Sequence, residues 1–265
     1  MNIFTREMKA NRKPLILWGI SIVAMISGGM GKFAAYTNSG ESINDMLDIL
    51  PKSLLNVYGI SSFDLSTAIG FYGVLFLYLI LIATVYAVML GANIIAKEEK
   101  DKTTEFLFVK PVSRSKVITS KLFAVLLNII ILNIVTFIAS FVIVNHFNVG
   151  NAILTDMIML IMGMFITQLI FMCIGALVAS VSKNPKAATS TAIGILLITF
   201  MISMLINMND KLENLKYITP FKYFGAESII SGKGMDLVFI TLSMVIIAIS
   251  LAGTYRFYNK RDLRV

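Results

Sequence analysis

Residues 69–95 read IGFYGVLFLYLILIATVYAVMLGANII, a run without one charged side chain. As a helix it is about 40 Å long at 1.5 Å per residue, whereas the hydrocarbon core of a bilayer is about 30 Å thick. It reads as a membrane span with enough length to tilt or to project beyond the lipid. A span needs about 20 mostly apolar residues, and five further runs qualify. The six lie at roughly 15–33, 69–95, 118–145, 155–181, 188–208 and 235–257.

Composition agrees. Of 265 residues, 57% are hydrophobic and 14% charged, against about 25% charged in soluble proteins. The mean hydropathy is +0.82. The net charge of +8 would suit nucleic acid in a soluble chain. In a membrane protein it reports topology and contact with anionic membrane lipid, and no nucleic-acid partner is expected. The basic N-terminal segment MNIFTREMKANRKP resembles the first region of a signal peptide. The apolar run after it is long for a signal core, so it reads as a retained span.

Orientation follows from Lys and Arg. With the N-terminus inside, 17 of the 23 fall on the cytoplasmic side and 6 on the outside, which puts both termini in the cytoplasm. The expected fold is therefore an all-α membrane protein of six transmembrane helices, a single domain over residues 1–265. Two outer segments exceed simple turns. In 34–66, Ile43, Met46, Leu47, Leu50, Leu54 and Leu55 have near-helical spacing, which suits an amphipathic interfacial helix. In 209–234, Tyr217, Phe221, Tyr223 and Phe224 suit the headgroup level.

Several chemistries find no residues to carry them. The span centres lack Asp, Glu, Lys, Arg and His, which argues against a proton-driven carrier. GGMGKF at 28–33 has Ile26 and Phe33 where a phosphate-binding loop needs Gly and Ser or Thr. SGKG at 231–234 fails likewise, with Glu227 in the first position. No HExxH or GxSxG occurs, and the lone Cys173 and His146 make no metal-ligand pattern. The chain is expected to be no enzyme, to bind no metal and to hold no cofactor of its own.

One short segment breaks the apolar pattern. KEEKDKTTEFLFVKPVSRSK, residues 97–116, carries ten charges within the cytoplasmic loop 96–117. Glu98 and Glu99 end the second helix. Thr103 or Thr104 caps a short new one, with Glu105 in its first turn. Phe106, Leu107 and Val109 give it an apolar face, and Pro111 stops it. Ser113 then caps the third span, with Arg114, Lys116 and Lys121 near the headgroups. Two to eight residues would join two helices, so the insert reads either as a docking knob for a cytosolic partner or as an interfacial helix lying on lipid.

The run E-x4-T-x-E-x-L-x3-P-V-S-R-x6-K, here Glu98 to Lys121, resembles the hallmark of ABC-2 type permeases, the membrane subunits of one class of ATP-binding-cassette exporters. PFKYF at 220–224 is similar to a short motif before that family's last span. Lys102 stands where the family often has glycine. The resemblance implies a short cytoplasmic coupling helix between spans 2 and 3, with Phe106, Leu107 and Phe108 as anchors in a cytosolic ABC ATPase subunit. Glu98, Glu99, Thr103, Glu105, Pro111 and Arg114 would complete that surface. ATP and Mg would belong to the partner. It also implies a homodimer, or a heterodimer with a similar permease, in a bacterial cell membrane. The exported substrate would be hydrophobic or amphipathic, such as a peptide antibiotic or drug.

Polar residues within spans have two readings. Asn93, Asn128, Asn133, Gln168, Thr199, Ser203 and Asn207 either line a substrate path or bond helix to helix. Gly175 and Ala179, four apart, suit close helix approach. A non-transporting membrane sensor and an ion-coupled carrier are the alternative functions. The coupling-like loop weighs against both.

Overall fold

A computed structural model of the chain describes residues 3–39, 55, 63–100, 113–148 and 153–260. The described residues form helices and turns without a strand. Six helices are long and apolar enough to cross a membrane. They are α1 (Ile3–Ser39), α2 (Ala68–Lys100), α3 (Arg114–Phe147), α4 (Leu154–Val181), α5 (Pro185–Met208) and α6 (Leu237–Lys260). The segment 40–62, apart from Leu55, lies outside the described residues, and with it most of the expected outer amphipathic helix.

α1 begins twelve residues before the expected span because its charged start continues as helix. Arg6, Glu7, Met8, Lys9 and Ala10 all favour that conformation. Its 37 residues span about 55 Å, well beyond the hydrocarbon core. Pro14 stands inside it, where the charged part meets the apolar part. Several other ends have local causes. The Ser113 hydroxyl accepts from Lys116 N (3.3 Å) and starts α3. The Asn184 amide oxygen accepts from Lys186 N (3.1 Å), with Pro185 in the first turn of α5. The Asp236 carboxylate accepts from Val238 N (2.9 Å) at the head of α6.

α2 and α4 form the centre. A β-carbon on Gly91 would lie 2.2 Å from the Met172 carbonyl oxygen, and one on Gly175 would lie 2.6 Å from that of Val88. The two backbones therefore touch. In lipid, helices associate through such close packing rather than through the hydrophobic effect. Buried Ala83, Ala87, Ala92, Ala176 and Ala179 accompany the glycines. α1 packs on α3 and α2, α5 on α2 and α4, and α6 chiefly on α4. The outer faces of these three peripheral helices remain apolar, as Leu17, Ile198 and Ile249 show, which is what a lipid environment requires.

Buried polar groups are handled locally. Thr136 and Thr167 return their hydroxyls to the carbonyls of Leu132 and Gly163, four residues back. Between helices, Tyr72 donates to Ser140 (2.8 Å). Asn133 of α3 donates to Gln168 Oε1 of α4, and Gln168 Nε2 donates to the Ala83 carbonyl of α2 (3.1 Å).

Both described ends of the chain lie at one end of the bundle. There Arg114 donates to the Asn259 carbonyl (3.1 Å), and the Asn259 amide donates to Ser115 Oγ (3.1 Å). At the other end, short helices Asp210–Tyr217, Pro220–Lys222 and Ala226–Ile230 cover the bundle. Tyr217 is exposed there, but Phe221, Tyr223 and Phe224 turn inward. Phe221 lies 5.2 Å from both Phe171 and Phe200, ring centre to ring centre, and Tyr223 stacks on Phe239 at 4.9 Å. Aromatic–aromatic contact replaces the headgroup contact expected for these rings.

The backbone contact between α2 and α4 is testable. Gly175→Leu should lower the detergent melting temperature, with a loss of at least about 1–3 kcal/mol for overpacking. Gly28→Ala is the control, since a β-carbon at Gly28 meets nothing within 4 Å. Equal melting temperatures for the two variants would refute the contact.

Candidate functional site at the charged end

Five ionised side chains from three helices meet where the termini lie. Glu7 comes from α1, Glu98 from α2 and Lys121 from α3, and all three are buried. Arg6 and Lys97 close the group from its rim. Glu98 bridges the three helices: its Oε2 accepts from Lys121 Nζ and its Oε1 from Arg6 Nη2 (3.0 Å). Glu7 accepts from Arg6 Nη2 and from Lys97 Nζ, each at 2.8 Å. Lys121 also donates to the Ile94 carbonyl (2.6 Å). Three cations face two carboxylates, so the group carries one net positive charge.

Local sequence explains the positions. Glu7, Asn11, Pro14 and Trp18 fall along one stripe of α1, and the Asn11 amide donates to the Glu7 carbonyl (2.9 Å). Lys121 shares a helical face with buried Val117, Val125, Asn128 and Leu132. Its ammonium turns inward to Glu98 instead of snorkelling to headgroups, because a carboxylate and a carbonyl are nearer than water. Nothing in the local sequence pairs Glu7 with Lys97, which lie 90 residues apart. One signal for Glu7 was available: it is the only acid before Glu41.

The residues expected to contact an ATPase divide. Glu98 lies in the buried group rather than on an open surface. Glu99 is half-buried at the end of α2. Arg114 opens α3 and holds Asn259. Thr103, Glu105, Phe106, Leu107, Phe108 and Pro111 lie outside the described residues.

The polar residues considered for a substrate path also separate. Asn133 and Gln168 are together in the α3–α4–α2 chain of hydrogen bonds. Asn128 is fully buried and donates to the Ala124 carbonyl (2.7 Å) and to Met8 Sδ (3.2 Å). Asn93 accepts from Thr189 (2.8 Å), joining α2 to α5. Thr199 bonds back to the Leu196 carbonyl of its own helix. Ser203 and Asn207 line a small cavity of about 80 Å³ at the other end, together with Lys222 and Glu227. Lys222 donates to Asn207 Oδ1 there. Burial holds its ammonium below the usual pKa, against a smaller upward pull from Glu227.

Removing one partner of a buried ion pair leaves the other charge uncompensated, at a cost of about 3–5 kcal/mol. Arg6 still holds Glu98 Oε1 in Lys121→Met, so that variant should destabilise the protein by up to about that amount. Adding Glu98→Gln should recover part of the loss. Thermal unfolding in detergent measures both, and a double variant no more stable than Lys121→Met would show that the two residues do not act as a pair.

No curated protein is similar enough to this chain to count as a match. A family model described as "ABC-2 family transporter protein" matches residues 1–263. Six helices long and apolar enough to cross a membrane fit a membrane transport component. The chain belongs to the ABC-2 family of transporter proteins.

Proposed function

We propose that this permease subunit serves an ATP-driven exporter, with the charged end facing the cytoplasm. A cytosolic ABC ATPase holds ATP and Mg and seats on the segment 101–112 between α2 and α3. A second permease chain, identical or similar, completes the unit in a bacterial cell membrane. The substrate is hydrophobic or amphipathic, of the peptide-antibiotic or drug type.

The supporting observation is how that segment is rooted. Glu98 stands two residues before α2 ends, and its carboxylate is held by Lys121 of α3 and Arg6 of α1. A displacement at this root reaches three helices through charge-assisted bonds, which are short and directional. Below them, the backbone contact at Gly91 and Gly175 carries it from α2 to α4. Such a displacement shifts the two conformational states only if the partner binds them with different free energies.

Two further features support the reading. The buried ions of the described residues gather at the charged end, and none lies at mid-span to take up a driving proton. Inside one chain, Asn133 and Gln168 are engaged in helix–helix bonds. That favours a route between two chains over one through a single bundle.

The double variant Phe106→Asp, Leu107→Asp tests the docking role. It should release the ATPase on co-purification while the permease stays folded in the membrane. Buried aromatic anchors of an interface each contribute about 2 kcal/mol or more, so the loss should be nearly complete. Co-purification at the wild-type ratio would rule the docking role out.

A further inference from the structure

At the charged end, a cavity of about 360 Å³ lies between α1 and α2. Its lining follows one stripe of each helix. Tyr86, Asn93, Lys97 and Lys100 recur at helical spacing on α2, opposite Asn11 and Trp18 of α1. From Tyr86 to Lys100 the stripe runs about 21 Å. Its ammonium groups stand at the outer mouth and its aromatic rings lie deeper.

The polar groups that line the cavity are mostly donors. The Tyr86 hydroxyl is buried and has no hydrogen-bond partner among the described residues. Asn93 uses its oxygen to accept from Thr189, which leaves its N–H groups without a partner among the described residues. Lys100 makes no ion pair among the described residues, whereas Lys97 is bound to Glu7. Glu7, the one carboxylate in the lining, is already held by Arg6 and Lys97. Trp18 and Tyr86 pack at 5.5 Å between ring centres and make the inner wall apolar.

We infer that this cavity is a binding site for an anionic phospholipid of the leaflet at the charged end. A phosphate and its ester oxygens supply only acceptors and negative charge, which complement the donors and the ammonium of Lys100. The volume suits a headgroup and the first carbons of its chains, being roughly that of a dozen liquid waters. The chains would leave over the flank of α1 next to Trp18, where Leu17 is exposed. The inference rests on the membrane-spanning fold and not on transport, so it stands or falls apart from the exporter reading.

Trp18 is the only tryptophan in the chain and reports on the site directly. The full chain is reconstituted in phosphatidylcholine vesicles containing a fraction of phosphatidylglycerol, with bromine on the acyl chains of one lipid or the other. Brominated phosphatidylglycerol should quench Trp18 with a relative binding constant roughly fivefold above that of brominated phosphatidylcholine, the factor one lysine at a membrane surface supplies. Lys100→Gln should bring the ratio close to one. Tyr86→Phe, which keeps the ring and removes the hydroxyl, should lower it. Equal quenching by the two lipids in the wild type overturns the inference, as does a preference unchanged in both variants. Relief of the phosphatidylglycerol quenching by excess inorganic phosphate also overturns it, by showing a site for a free anion.

Discussion

The pairing of Glu98 with Lys121 fixes a relation that apolar packing alone leaves loose. Between helices in lipid, leucine against leucine gains little over leucine against an acyl chain. Sliding one smooth helix along another is then opposed mainly by shape. A buried carboxylate held by an ammonium from one neighbour and a guanidinium from another is different. Moving α2 by one turn, about 5.4 Å, would break both contacts and leave the buried charges of Glu98 and Lys121 in a poorly solvated place. Two acids and three bases at the charged end thus set the register of α1, α2 and α3.

The α2–α4 contact supplies the second constraint, of another kind. It depends on absent atoms: Gly91 and Gly175 let carbonyl oxygens come within reach of the facing backbone. Dispersion falls off steeply with separation, so close backbones gain much of their attraction from this approach. The Asn133–Gln168–Ala83 chain then ties α3 to the central pair. Ionic contacts at one end, small residues in the middle and aromatic rings at the other end share the same six helices. Each suits its depth. Charges are affordable near water, carbonyl contacts require no polar solvent, and the rings of Phe221 and Phe224 seal an end whose charged side chains are not fully buried among the described residues.

The local part of this design was legible in the sequence. Hydropathy fixes the six helices because lipid imposes length and apolarity on each one separately. Ser113 was recognisable as a cap for the same reason: its bond to Lys116 spans three residues. The ionic group was not legible, because its members are far apart in sequence. Lys121 alone looks like a snorkelling lysine near a span end. Only the approach of Glu98, 23 residues away, turns it inward. PFKYF shows the same limit. Its composition suits an interface, but Phe171, Phe200 and Phe239 offer partners that no local pattern announces.

Those partners also bear on why one end of the bundle is ionic and the other aromatic. Ion pairs and charge-assisted bonds are directional, so a small displacement converts a good contact into an unpaired charge. Ring–ring and ring–aliphatic contacts are broad, and a similar shift exchanges one acceptable arrangement for another. The charged end therefore resists graded motion and favours discrete alternatives. The aromatic end tolerates adjustment. α2 ends and α3 begins at the stiff end, where Arg6, Glu98 and Lys121 lock three helices together. A displacement applied there works against contacts that either hold or break.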